Sequence, residues 1–289
     1  MNQIDIAANA KINLTLDVLR KREDGYHELK MIMQTVSLFD SINIRKKESG
    51  ISLKTSLKYL PTDRRNIAYA AAELFFECAG IKDGVSINIK KSIPVAAGLA
   101  GGSSNAAAVL VGLNKMYDNI FSEHELCKMG EKLGSDVPFC IAGGCALCEG
   151  RGEILTQLPD LPATTFLVAK PPIRVSTTEV YSHLRVDKLT EHPDTEGTVG
   201  AIKRGDREAV AVRMFNVLET VTAKEHPEIK RIKQEMIDFG AMGSVMSGSG
   251  PAVIGLFKDK KLANDARVYM QKKRCDAFVV RTTPRKTDI

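Results

Sequence analysis

The sequence predicts an α+β protein of two domains, and three observations predict it. Residues 12–18 set apolar Ile12, Leu14, Leu16 and Val18 against polar Asn13, Thr15 and Asp17, the period of a half-buried strand. Several later segments carry helix start and stop signals, so that strands bear helices on one face. A length of 289 residues gives a prior of about two domains, and Pro159, Pro162, Pro171 and Pro172 mark a change of composition. The expected division is 1–160 and 161–289.

The elements follow in order. After the first strand, Glu23-Asp-Gly25 supplies a turn, and residues 27–39, rich in Met, Ile, Val and Leu, return as a hairpin partner. Two short strands are expected at 41–46 and 51–55, then a helix over 66–79 with Gly80 placed to stop it. A strand over 84–90 leads into a glycine-rich loop, and the apolar run 106–113 leads out of it as a helix. Residues 122–133 form a helix opened by the capping box Ser122-Glu-His-Glu125. The turn Gly134-Ser-Asp136-Val-Pro138 then precedes a strand expected over 139–149. The second half offers a strand at 165–169, a short helix from Thr177, a charged loop over 187–196, and amphipathic helices from Asp206 and Pro227. A strand, glycine loop and strand around Ser247-Gly-Ser-Gly250, a helix over 259–274 and a strand over 277–281 close the chain.

The glycine-rich loop reads Pro94-Val-Ala-Ala-Gly-Leu-Ala-Gly-Gly-Ser-Ser104. Gly98, Gly101 and Gly102 remove the side chains that keep a ligand off the backbone, while Ser103 and Ser104 are suited to cap the helix and still offer hydroxyls. A helix N-terminus adds unpaired N–H groups and partial positive charge, which suit a phosphate. Two familiar loops are excluded. Ser103-Ser104 stands where the Walker A pattern needs Lys-Ser or Lys-Thr, and Gly98-Leu-Ala-Gly101 breaks the spacing of the dinucleotide fingerprint. On glycine content alone, a tight turn into a core helix remains an alternative. Charge shifts the balance, because neither 92–114 nor 239–257 contains a charged residue. Pro94, Pro251 and the glycines interrupt the run of about twenty apolar residues that a membrane span requires, so both segments fit an anionic ligand better than lipid.

Lys and Arg number 41 against 35 Asp and Glu, an excess of 6 spread along the chain without an interleaved basic and aromatic patch. That excess is as compatible with an anionic small molecule as with nucleic acid, and the missing patch argues against an RNA-binding module. Small-molecule partners are expected, with no nucleic acid, no membrane, and a monomer or weak homodimer. Asp5 and Lys11 interrupt the only apolar opening stretch, so no export signal and a cytoplasmic location are expected. Cys145 and Cys148 have C-x-x-C spacing but no second pair, which favours buried reduced thiols over zinc. The five histidines form no H-E-x-x-H pattern.

The loop beginning at Pro94 closely resembles the ATP-binding loop of the GHMP kinases, the superfamily of galacto-, homoserine, mevalonate and phosphomevalonate kinases. Ala8-Asn-Ala-Lys11-Ile-Asn-Leu, Asp24-Gly-Tyr-His27-Glu-Leu, Leu133-Gly-Ser-Asp136-Val-Pro-Phe and Met246-Ser-Gly-Ser-Gly-Pro-Ala are similar, in order, to the motifs of one branch whose substrate carries a cytidine diphosphate. One departure is Ala100, where many members have glycine. The resemblance implies a two-domain GHMP kinase fold: an N-terminal domain with a left-handed βαβ unit, a C-terminal ferredoxin-like α/β sandwich, and an active site in the cleft between them. It implies transfer of a phosphoryl group from ATP, accompanied by Mg²⁺, to the 2-hydroxyl of a cytidine-diphosphate-linked polyol in the non-mevalonate route to isoprenoid precursors. It assigns no metal ligands.

The resemblance also implies roles for single residues. Asp136 matches the catalytic aspartate that accepts the hydroxyl proton, and Lys11 the lysine beside it. Pro94, Val95, Ala96, Ala97, Gly98, Leu99, Ala100, Gly101, Gly102, Ser103 and Ser104, with Asn66, fall on the ATP side. Asn13, Tyr26, His27, Thr177 and Tyr181 fall on the substrate side, with Tyr26 and His27 at the cytosine. Without the resemblance, Lys11 reads as an exposed strand lysine, Asp136 as a turn or helix cap before Pro138, and Tyr181 as helix packing. Homoserine or mevalonate is the alternative substrate, against which the Tyr26-His27 pair argues.

Overall fold

The computed structural model describes residues 1–285. Two long strands, β1 (Gln3–Lys21) and β2 (His27–Lys47), form an antiparallel hairpin whose turn contains Gly25 at φ 84°. Its pairing register shifts three times, between Asn9 and Lys11, Asn13 and Thr15, and Val18 and Arg20. Such bulges bend a strand and re-aim its side chains, and here they bracket Lys11 and Asn13. The half-buried reading of β1 is corrected, because Asn13, Thr15 and Asp17 are buried as fully as their apolar neighbours. The expected separate strand at 41–46 is the continuation of β2, since Phe39 and Asp40 keep pairing with Asn9 and Ala8.

Three more pieces complete the first half. Strand β3 (Ile51–Thr55), helix α1 (Ile67–Ala79) and strand β4 (Gly84–Lys90) form a crossover in which β3 and β4 lie parallel. Asn66 caps α1 by accepting from the Ala68 N–H, and Gly80 ends it at φ 65°, where glycine avoids the Cβ clash. The glycine loop follows, then α2 (Gly101–Met116) and α3 (Glu123–Leu133), the latter with both hydrogen bonds of its capping box formed. Residues 139–149 are not one strand. Val137–Ala142 is a helix, α4, with Pro138 in its first turn, and β5 (Cys145–Gly150) starts only after Gly143 and Gly144 turn the chain at positive φ. Strand β6 (Ile154–Leu158), which the pattern had not marked, pairs with β5, and β5 pairs with the early half of β2.

The second half holds a four-stranded antiparallel sheet in the order β11, β7, β10, β9, built from β7 (Thr165–Lys170), β9 (Ala241–Met246), β10 (Val253–Phe257) and β11 (Asp276–Arg281). With α9 (Glu228–Asp238) between β7 and β9, and α10 (Lys260–Lys272) between β10 and β11, its order is that of the ferredoxin-like βαββαβ unit. Leu167 and Ala169 face Ile232, Met236 and Met270 of those helices, while Phe166 and Val168 face a core shared with Ile12 and Leu14 of β1. A strand buried on both faces reads as a continuous apolar run, which explains Phe-Leu-Val-Ala.

Between β7 and α9 lie α5 (Thr177–His183), α6 (Thr195–Lys203), α7 (Arg207–Ala211), the two-residue β8 (Phe215–Asn216) and α8 (Glu219–Glu225). The loop expected over 187–196 contains a 3₁₀ turn, and its end enters α6. His192 and Glu196 in this segment bind Asp17 and Lys30 of the first hairpin, each at 2.8 Å. Strand β8 returns to the first sheet beside β1, and the Thr283 N–H donates to the Thr35 carbonyl at 3.0 Å. Among the described residues no helix is long and apolar enough to cross a membrane.

Candidate active site

The two uncharged glycine segments meet. The hydroxyl of Ser247 donates to the Gly98 carbonyl at 3.0 Å, and the Ala252 N–H donates to the Ala97 carbonyl at 3.2 Å. The second loop is itself held by Asn216, whose amide donates to the carbonyls of Met246 and Gly248 at 2.7 and 2.8 Å. Gly98 and Gly248 have φ of 76° and 56°, in the left-handed region.

The first glycine loop ends at Ala100, which occupies the cap position of α2 at φ 55°. Ser103 and Ser104 therefore lie inside the first turn and do not cap the helix. The Ser104 hydroxyl is spent on the Asn9 and Ala100 carbonyls at 2.6 and 3.0 Å, and Leu99 is buried beneath the loop, so neither side chain lines the cleft. The remaining loop residues, from Pro94 to Ser103, do line it.

The cleft has a volume of about 960 Å³. Among the described residues five cations (Lys11, Lys21, Arg65, Lys91 and Arg151) and one carboxylate, Asp136, line it, and Lys91, Arg65 and Arg151 are paired with Asp40, Asp63 and Glu153 outside the lining. Lys11 and Asp136 come together despite their separation in sequence, with the ammonium 3.5 Å from the carboxylate. Asp136 sits at the cap position of α4 but makes no capping hydrogen bond, so its carboxylate is turned to Lys11 and the cleft. Lys11 is 4% exposed and donates to Asn13 Oδ1 at 2.7 Å, while the Asn13 backbone N–H donates to the Ser247 hydroxyl at 3.2 Å. One chain of contacts thus runs from Asp136 through Lys11 and Asn13 to both glycine loops.

Tyr26, His27 and Tyr181 line the same cleft. The His27 and Tyr181 rings lie 5.1 Å apart, while Tyr26 is exposed with the Arg151 guanidinium 5.0 Å above its ring. Burial, and then the nearby Lys21 charge, push the His27 imidazole below its ordinary pKa. Burial, and then the charge of Asp136, raise the Tyr181 phenol. The Thr177 hydroxyl is 2.8 Å from that of Ser249, which ties α5 to the second glycine loop. Asn66 also lines the cleft, but its amide already donates to the Pro61 carbonyl and accepts from the Ala68 N–H.

Lys21, Arg65, Lys91 and Arg151 had no signal in the sequence beyond standing next to motif residues. Cys145 and Cys148 lie three apart on β5 and enter different cores, so they do not converge on a metal. Among the described residues no cluster of three or more metal-ligating side chains occurs.

The fold and this cleft define a small-molecule kinase of the GHMP class: the GHMP kinases N terminal domain matches residues 66–144, and the GHMP kinases C terminal domain matches residues 198–277. A protein of Clostridium novyi (strain NT) named 4-diphosphocytidyl-2-C-methyl-D-erythritol kinase is 48% identical over 275 residues, covering 95% of this chain and 98% of its own. One of the same name from Caldicellulosiruptor saccharolyticus (strain ATCC 43494 / DSM 8903 / Tp8T 6331) is 50% identical, covering 92% and 93%. A crystal structure of 4-(cytidine 5'-diphospho)-2C-methyl-D-erythritol kinase superimposes with a TM-score of 0.83 at 35% identity, covering 96% of this chain and 99% of that one. This chain belongs to the 4-diphosphocytidyl-2-C-methyl-D-erythritol kinase family of the GHMP kinases.

Proposed function

We propose that the protein transfers the γ-phosphoryl group of ATP to the 2-hydroxyl of 4-diphosphocytidyl-2-C-methyl-D-erythritol, a step in isoprenoid precursor synthesis. The observation that carries this reading is the Lys11–Asp136 pair at 3.5 Å, in a cleft lined also by two touching glycine loops and an aromatic and histidine cluster. In the reaction the substrate oxygen forms a bond to the γ-phosphorus while the bond from that phosphorus to the β-bridging oxygen breaks, releasing ADP. Asp136 accepts the hydroxyl proton, and Lys11 orients the nucleophile and compensates charge. A loose phosphoryl-transfer transition state gains most from such positioning and charge compensation.

The backbone N–H groups at the start of α2 receive the phosphates, helped by the helix dipole. Pro94 to Ser103 and Asn66 form the ATP side. Asn13, Thr177 and Tyr181 bind the cytidyl substrate, with Tyr26 stacking on the base and His27 reading its edge as a neutral ring with one donor and one acceptor. Mg²⁺ beside a triphosphate usually keeps several waters and needs only one or two protein oxygens, so the lack of a dedicated cluster among the described residues does not conflict with it. The Ser103 hydroxyl is the cleft group that would hold it, leaving the Asp136 carboxylate to accept the proton. The ion supplies neutralisation of the phosphate charge. We place the domain division at 160/161, in the segment between β6 and β7, and take the enzyme as a cytoplasmic monomer or weak homodimer without nucleic-acid or membrane partners.

The test is incubation of the purified protein with ATP, Mg²⁺ and the cytidyl substrate, followed by ³¹P NMR. A new phosphomonoester on the cytidyl compound and stoichiometric ADP are expected, with no product from homoserine or mevalonate. Equal turnover of an alcohol that lacks the cytidine would refute the substrate assignment.

A further inference from the structure

The first glycine loop is held in a conformation that its own residues disfavour. Ala96 and Ala100 adopt φ of 51° and 55°, in the left-handed region where a Cβ crowds the backbone. Contacts from outside must therefore fix it, and one buried carboxylate makes them at both ends. Asp40, midway along β2, is 0% exposed. One of its oxygens accepts from the backbone N–H groups of Ser92 and Ile93 at 2.6 and 2.9 Å. The other accepts from the Asn105 amide at 2.8 Å and pairs with the Lys91 ammonium. Lys91 in turn donates to Asn105 Oδ1 at 3.0 Å and to the Gly101 carbonyl at 3.5 Å.

Ser92 and Ile93 are where the chain enters the loop, and Gly101 and Asn105 belong to the opening of the helix that leaves it. We infer that Asp40 is a positioning residue for the nucleotide, setting the separation of the two ends of the loop through Lys91 and Asn105, and with it the direction of the N–H groups that meet the phosphates. This rests on reading the loop as the ATP-phosphate site. A buried carboxylate is tolerated only when its partners are complete. Four donors satisfy Asp40, so the network has one arrangement, and the loop inherits it. Positioning of this kind acts on the phosphates and not on the adenosine, which separates it from a general contribution to stability.

The test uses Asn105→Ala, which removes the side chain that ties α2 to Asp40 while leaving the ion pair and the Lys91 contact to the Gly101 carbonyl, and Asp40→Asn, which removes the charge at nearly constant shape. In nucleotide-free protein, Asn105→Ala should speed amide deuterium exchange across residues 95–104 by about tenfold, with exchange in β7 and β10 unchanged. It should weaken the non-hydrolysable analogue AMP-PNP by about tenfold, leaving adenosine affinity and the KM for the cytidyl substrate within about twofold. Asp40→Asn should move the same quantities further in the same direction. Unchanged loop exchange, or equal weakening of adenosine and AMP-PNP, would overturn the inference. A wild-type protein that ignores AMP-PNP while its loop exchange still responds to Asn105→Ala would refute the ATP reading and leave the positioning role standing.

Discussion

Gly98 and Ser247 meet so closely that the Cβ which Gly98 lacks would lie 2.0 Å from the Ser247 carbonyl oxygen. The contact is between backbones from opposite halves of the chain, and no side-chain rotation relieves it. Gly98→Ala therefore forces the two loops apart and also places an alanine at φ 76°. We expect a stability loss of about 1–3 kcal/mol from overpacking, read by denaturant unfolding, together with a rise in the KM for ATP. Wild-type stability and KM in this variant would mean that the loops are not in register as described.

Asp136 and Lys11 differ from the glycines in what they are expected to change. Asp136→Asn keeps the shape of the side chain and removes the proton acceptor, so kcat should fall by roughly 10²–10⁴ while AMP-PNP affinity is nearly kept. Lys11→Met should lower kcat as well, and the double variant should lose less than the product of the two, because the proposed roles of the pair act on one reacting atom. Near-normal turnover in Asp136→Asn removes it as the base.

With His27 in its proposed role at the cytosine, the pH dependence of substrate binding follows from its ring. Burial first, and Lys21 second, lower its pKa, so the ring stays neutral as pH falls through the ordinary histidine value of about 6.5. The KM for the cytidyl substrate should stay flat through that value and rise only at lower pH. Lys21→Gln removes one cause of the depression and should move the rise upward, toward about pH 6.5. His27→Ala should raise the KM for the cytidyl substrate far more than that for ATP at every pH.

The cysteines separate by burial. Cys145 is pushed up to about 12 by burial, and Cys148 is raised well above its ordinary value for the same reason, whereas Cys78 is exposed. At pH 8 a thiol of pKa near 12 is thiolate for only about one part in ten thousand. Iodoacetamide should label Cys78 in the folded protein and reach Cys145 and Cys148 only after denaturation, as peptide mass mapping would show.

The elements legible in the sequence were those with local signals. Asn66 and Gly80 bound α1, Ser122 and Glu125 open α3, and the alternation in Gly84–Lys90 marks β4. Residues 139–142 were misread because a short apolar run has the same pattern in a buried strand and a buried helix. Pro138 suits a helical first turn as well as the turn that its neighbours Gly134 and Asp136 suggest. Strand β8 has two residues and no pattern of its own. The site follows the same division: most residues inside motifs line the cleft, and Leu99 and Ser104 share the motif while facing the core. Lys91 and Asp40 were invisible because their meaning lies in a contact spanning 51 positions, which no local spacing encodes.

The strand β8, the core common to Phe166 and Ile12, and the hydrogen bond from Thr283 to Thr35 all cross the proposed division near residue 160. A protease that nicks the proline-rich joint would cut the covalent thread and leave these three attachments in place. The two fragments should then sediment as one particle with the cleft still assembled, since what joins the halves is mostly not the peptide bond between them.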